Sequence, residues 1–122
     1  MKPYEHAKLS VRKWGGIPED YMEVHDFLDS SKAHFPDMRH RAMLHNSFGI
    51  YIAERVFGTN IPLSGGGYAS TRDVAENHIL QDMGTIPTVQ DYLQYLPMLD
   101  WLGGRKREKV VIRLSEKTTF VD

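Results

Sequence analysis

The stretch SKAHFPDMRHRAMLHNSFGIYIAERVF, residues 31–57, decides the fold, because its spacing predicts one long helix with an apolar stripe in its second half. At about 100° per residue, four large apolar side chains fall on one side of this helix, which we expect to face the core. They are Leu44, Phe48, Tyr51 and Ile52. We expect the helix to begin near Pro36 and to end at Gly58.

The first half of the same stretch is polar and carries three of the six histidines in the chain. Projecting the apolar side back toward the N-terminus leads to Asp37 and Arg41, with His40 and His45 on its two flanks. Burial of such groups without partners is costly, so they either face solvent or form a satisfied network. A polar cluster at the start of a core-facing helix therefore suggests a site.

Four further helices are predicted around this one. Their expected ranges are residues 4–14, 18–31, 71–83 and 86–96, with β-prone segments at 60–69 and 109–114. The predicted fold is mainly α, a compact bundle of about five helices with a small β element. We expect one domain over residues 1–122, with 103–122 as a C-terminal extension. Because a single strand needs a partner, the 109–114 strand is expected to pair with 60–69 or with a neighbouring subunit of a homo-oligomer.

Composition excludes several classes of function. The formal net charge is −1 and the isoelectric point is near 6.6, which argues against binding nucleic acid through bulk electrostatics. The sequence contains no apolar run long enough for a membrane span and no signal-peptide pattern at its N-terminus. Cysteine is absent, which fits a cytoplasmic protein and leaves histidine and carboxylate side chains as the available metal ligands.

Histidine and carboxylate side chains suggest a divalent metal site for zinc, iron or manganese. In a hydrolytic version, the metal would activate water, and a non-ligating histidine or Glu76 would act as the general base. The candidate ligand or metal residues are His34, Asp37, His40, Arg41, His45, Glu76 and His78. Lys32 and Arg39 are candidates for holding a small anionic ligand near a helix start.

A second interpretation is a structural network without a ligand, in a non-enzymatic accessory or interaction protein. Asp37 and Arg41 are spaced i, i+4 and could pair, while Glu76 could meet Arg41 or Arg39 across a helix interface. Whether the protein is an enzyme stays open between these interpretations.

Two further pairs have helical spacing. His25 and Asp29 are four residues apart, as are His78 and Asp82, and Asp29 and Asp82 are among the carboxylates that could join a metal site. His6 and His25 are expected at the surface rather than as ligands.

The chain also resembles a small domain family of unknown function that is found in bacteria and tailed phages. The resemblance covers about residues 4–96 and is most specific in the SKAHF…RHRA block. The residues that carry it are 13–16, 18–21, His25, Asp26, Asp29, 31–35, Asp37, 39–42, His45, Glu76, His78, Asp82 and 86–88. It implies a bacterial or phage context and no particular activity.

Overall fold

A computed structural model describes residues 1–103 and shows a mainly helical protein with a small antiparallel sheet. The elements are α1 (Pro3–Trp14), α2 (Met22–Asp29), α3 (Arg41–Leu44), α4 (Ser47–Phe57), β1 (Asn60–Pro62), β2 (Tyr68–Ser70), α5 (Thr71–Met83) and α6 (Val89–Leu93). Short 3₁₀ turns occupy Pro18–Asp20, Ser30–Ala33, Met38–His40 and Asp100–Leu102. This architecture confirms the predicted fold class.

The chain divides into two compact units, Met1–Tyr92 and a second unit that begins at Leu93. Of the second unit, the structure describes residues 93–103, which include one 3₁₀ turn. The predicted strand at 109–114 lies outside the described residues, and the single domain over residues 1–122 stays a prediction. Within residues 1–103, none of the helices combines the length and apolar character that crossing a membrane requires.

Local sequence signals set the ends of α5, which carries part of the site. The Ser70 hydroxyl accepts a hydrogen bond from the Asp73 backbone N–H at 3.2 Å, and so caps the first turn. Gly84 ends the helix with φ +74°, a left-handed conformation that glycine adopts readily. Just before α5, in the segment predicted to be β-prone, β1 and β2 pair as an antiparallel hairpin, with Ile61 opposite Ala69.

The prediction of one long helix across residues 31–57 is wrong, because the chain breaks at His45 and Asn46. Asn46 is extended, and its side-chain oxygen accepts a hydrogen bond from the Gly49 N–H at 2.8 Å, which starts α4. Its side-chain amide donates to the Ala42 carbonyl at 2.9 Å, which ends α3. One buried asparagine therefore serves both helix ends.

The break also changes which face of α4 is buried. Phe48 and Tyr51 were predicted in the core, but each is 52% exposed, and Ile50 and Ala53 are buried instead. The reason is that a helical projection assumes unbroken 3.6-residue turns, and the extended Asn46 resets the phase between α3 and α4.

The core of the Met1–Tyr92 unit lies among α1, α2, α4 and α5. Aliphatic side chains such as Leu28, Val74 and Ile79 are fully buried there. Five of the six histidines are buried as well, which leaves His34 as the exposed one. Since buried polar groups are usually hydrogen-bonded, most of the nitrogens of these imidazoles are expected to have partners inside the protein.

The contact between α3 and α4 predicts the effect of one substitution. A side chain at Gly49 would collide with the Leu44 carbonyl across the break. Gly49→Ala should therefore lower the free energy of unfolding by about 2–3 kcal/mol, as overpacked sites do. The matched control is Ser47→Ala on the exposed face of the same helix. This substitution should change the free energy of unfolding by less than about 0.5 kcal/mol. Urea unfolding measures both, and equal stability of the two variants would contradict the tight contact.

Candidate metal centre

Three segments of the chain bring two histidines and two aspartates together in the interior. Asp29 ends α2, His45 lies in the break between α3 and α4, and His78 and Asp82 are one turn apart on α5. Both imidazoles are fully buried, while the Asp82 and Asp29 side chains are 1% and 8% exposed. We call these four residues the His/Asp cluster.

The donor atoms of the cluster are separated by the distances of a coordination shell. His45 Nε2 lies 2.9 Å from Asp82 Oδ2 and 3.6 Å from Asp29 Oδ1. His78 Nε2 lies 3.3 Å from Asp29 Oδ1 and 3.4 Å from Asp82 Oδ2. At metal–ligand bonds of about 2.0–2.2 Å, neighbouring ligands are about 3.3–3.6 Å apart in a tetrahedron and about 2.8–3.1 Å apart in an octahedron. These four distances are compatible with a divalent transition metal, and two of them are also imidazole–carboxylate hydrogen bonds.

The charge of the cluster also favours a cation. The ligand atoms of the two buried aspartates lie within 4.8 Å of one another, and Asp29 Oδ2 has no hydrogen-bond partner among the described residues. Around Asp82, the Met1 amino group lies 3.0 Å away and Arg41 Nη2 lies 3.8 Å away. Since two buried carboxylates repel each other, a positive ion between them would stabilise the site.

Protonation states match those that metal ligands need. Burial lowers the pKa of His45 to about 4, so this imidazole is neutral near pH 7. Burial alone would raise the pKa of Asp82, but the hydrogen bond with His45 and the nearby Met1 amino group hold that pKa well below its usual range. Burial acts the same way on Asp29, and the hydrogen bond with His78 again leaves the pKa lowered. Metals bind neutral imidazole and ionised carboxylate.

Three stacked imidazoles, those of His6, His25 and His78, border the cluster, and one nitrogen of each lies within 4.8 Å of the others, but their ring planes do not suit a shared metal ion. The rings of His6 and His78 are 3.7 Å apart with 23° between their planes, and His25 is nearly parallel to both. Lone pairs of parallel rings lie in parallel planes, so they do not converge on one point. Moreover, His25 Nδ1 and His78 Nδ1 are 2.8 Å apart, so each is already the hydrogen-bond partner of the other.

His6 instead supports the cluster from α1. Its Nδ1 lies 2.6 Å from Gln81 Oε1, and its Nε2 lies 3.1 Å from Asp82 Oδ1. His6 and His25 were expected at the surface, but they are 0% and 1% exposed. That expectation was wrong because α1 and α2 turn these faces toward α5 rather than toward solvent.

The structure brings some of the predicted residues together and separates others. His45 and His78 belong to the cluster, and Arg41 borders it. His40 is buried outside it, with its Nδ1 2.9 Å from Ser31 Oγ and its ring centroid 5.9 Å from that of His45. His34 and Lys32 are exposed.

Two expected ion pairs are replaced by others. Asp37 is exposed and pairs with Arg39 at 2.8 Å rather than with Arg41. Glu76 lies 3.8 Å from Arg72 on its own helix and does not meet Arg41 or Arg39, so it is not placed to act as a base at the cluster. Glu76 precedes His78 by two residues, about 200° around the helix, which turns it away from the site.

Asp29 and Asp82 complete the cluster; they were among the carboxylates considered for a metal site but not among the seven candidate ligands. The signal that singles them out is the repeated pattern noted above, His25-x-x-x-Asp29 and His78-x-x-x-Asp82. Each pair places an imidazole and a carboxylate on one helical face, and two such faces in contact assemble a mixed donor set.

Comparison with known proteins identifies a family. Residues 1–102 match a domain of unknown function, DUF6915, and the chain belongs to that family. No curated protein and no solved structure matches the chain.

The buried imidazoles predict how the stability of the metal-free protein depends on pH. Burial lowers the pKa of His25 to about 3 and that of His45 to about 4, from 6.5 in the unfolded chain. Between pH 6.5 and 4 the unfolded state therefore binds more protons, so the free energy of unfolding falls as the pH falls. Because burial also lowers the pKa values of His6 and His40, urea unfolding of metal-stripped protein should show uptake of at least about two protons near pH 5.

The control for this measurement is His34→Gln, which removes the exposed histidine. It should leave the pH dependence of the free energy of unfolding unchanged. A free energy of unfolding that stays constant from pH 6.5 to 4 would contradict the buried, neutral state of the two imidazoles.

Proposed function

We propose that this DUF6915 domain binds one divalent transition metal through His45, His78, Asp29 and Asp82. The observation that carries the proposal is the set of four donor atoms, from three segments of the chain, at 2.9–3.6 Å from one another across the imidazole–carboxylate pairs. Two nitrogen and two oxygen ligands suit zinc, iron or manganese.

A hydrolytic role for the bound metal is the more specific part of this proposal. Beside the cluster, a cavity of about 350 Å³ is lined by Met38, Arg39, Arg41, Ala42, Met83 and Tyr92. Arg41 lies both on the wall of this cavity and 3.8 Å from Asp82, so an anionic group bound there would lie next to the metal ligands. A metal with a free coordination position would then activate water toward that group.

The alternative function is a non-enzymatic accessory or interaction protein of a bacterium or phage, in which the cluster is a structural network. The burial of all four side chains favours this alternative, because structural sites are closed to solvent. A cytoplasmic location and a homo-oligomeric state rest on the sequence alone and belong to the same proposal.

Metal affinity tests the site directly. Metal-stripped protein should take up one equivalent of Zn²⁺, measured by competition with a chromophoric chelator. Asp29→Asn keeps the shape of the side chain and removes its charge, and it should weaken binding more than about 100-fold, because loss of a supporting residue alone costs 10–100-fold.

The matched control is Asp26→Asn, since Asp26 is exposed on the same helix and lies outside the cluster. It should bind Zn²⁺ as the unaltered protein does. A folded protein that takes up no Zn²⁺, Fe²⁺ or Mn²⁺ would remove the metal proposal and leave the structural network.

Coordination geometry separates the closed site from the hydrolytic one. Four protein ligands complete a tetrahedron, whereas an octahedral ion would keep two further positions for water. With Co²⁺ as the probe, we expect the hydrolytic version to show the weak visible absorption of five- or six-coordinate cobalt, which should change when inorganic phosphate is added. Intense tetrahedral bands that phosphate leaves unchanged would overturn the hydrolytic version and favour a structural metal.

A further inference from the structure

A chain of buried hydrogen bonds leads from the cluster to α1. His78 Nδ1 lies 2.8 Å from His25 Nδ1, and His25 Nε2 lies 2.8 Å from Ser10 Oγ. The chain ends at the His6 backbone carbonyl, 3.1 Å from Ser10 Oγ. His25 and Ser10 are 1% exposed and His78 is 0% exposed, so water does not complete these bonds. We call these groups the Ser10–His25–His78 relay.

Metal binding fixes every hydrogen in the relay. If His78 Nε2 gives its lone pair to a metal, the ring hydrogen of neutral His78 is on Nδ1 and is donated to His25 Nδ1. His25 Nδ1 then carries no hydrogen, so its own hydrogen is on Nε2 and is donated to Ser10 Oγ. The Ser10 hydroxyl donates in turn to the His6 carbonyl, which can only accept. No group in the relay lacks a partner.

The metal-free protein can reverse the relay at no cost in hydrogen bonds. His78 Nε2 then carries the hydrogen and faces Asp29 Oδ1 at 3.3 Å, while His25 Nδ1 donates to His78 and Ser10 donates to His25. On metal binding, His78 Nε2 releases one proton to solvent and His25 Nε2 takes one up from solvent while the buried site is transiently open, so the relay neither gains nor loses a net proton. The hydrogen between the two Nδ1 atoms shifts from His25 to His78, and the Ser10 hydroxyl only rotates.

We propose that Ser10 and His25 are positioning residues that hold His78 in the tautomer whose Nε2 binds the metal. This inference rests on the proposed metal site. His45 provides the contrast, because its Nδ1 has no hydrogen-bond partner among the described residues. Ligating histidines are usually oriented by an acceptor on their second nitrogen, and in this protein the relay supplies that acceptor for His78.

Ser10→Ala tests the relay, because it leaves the His25 Nε2–H without an acceptor in the metal-bound form. Zn²⁺ affinity should fall 10–100-fold, as for other supporting residues. Ser10→Thr retains the hydroxyl and should restore most of the loss. The matched control is Ser31→Ala, since Ser31 is also a buried serine that contacts an imidazole and a backbone carbonyl, both of His40 and both at 2.9 Å. It should leave Zn²⁺ affinity unchanged.

A second measurement needs no variant. Long-range ¹H–¹⁵N NMR of the zinc-loaded full chain should show the His78 hydrogen on Nδ1 and the His25 hydrogen on Nε2. Zinc-loaded protein with the His25 hydrogen on Nδ1, or Ser10→Ala with unaltered Zn²⁺ affinity, would overturn the relay alone. If the unaltered protein binds no Zn²⁺, the metal site itself fails, so the two failures are distinguishable.

Discussion

The carboxylate of Asp82 must be satisfied inside the protein, because water reaches only 1% of its side-chain surface. His6 from α1 and His45 from the break between α3 and α4 approach it within 3.1 Å, and Arg41 adds positive charge at 3.8 Å. A buried charge without partners would cost several kcal/mol, so each of these contacts also fixes the position of the helix that supplies it. The polar interior thus orders the packing as well as forming the site.

The break at Asn46 is also required, because it allows His45 to reach the buried carboxylate of Asp82. In an unbroken helix, His45 would continue the turn of α3, whereas its observed ψ of +64° lies outside the helical region. This conformation lets α3 and α4 run in different directions while the His45 ring points at Asp82. The hydrogen bonds of Asn46 to both helices compensate for the backbone bonds that the break removes.

Sequence reasoning could predict the parts of this protein that depend on local signals. The ends of α1 and α5 follow from Pro3, Gly15, Ser70 and Gly84, which act within one turn of the chain. The break at Asn46 was missed because asparagine in a polar stretch is compatible with a helix until its partners are known. The contacts of Asp82 with His6 and His45 were missed for a related reason. They depend on which face of α5 meets the other helices, and long-range packing determines that face. The metal site itself stays a prediction; the His/Asp cluster contains two of the seven candidate ligands, His45 and His78, together with two of the further carboxylates considered, Asp29 and Asp82.

The abundance of imidazole in the interior has a thermal consequence. Of the twelve largest fully buried side chains within residues 1–103, five are histidines and three are aliphatic. Exposure of apolar surface raises the heat capacity on unfolding, and exposure of polar surface lowers it. A domain with imidazoles in its interior in place of leucines should have a small heat-capacity change on unfolding for its size. The free energy of unfolding should then change less steeply with temperature than in a domain with an aliphatic interior.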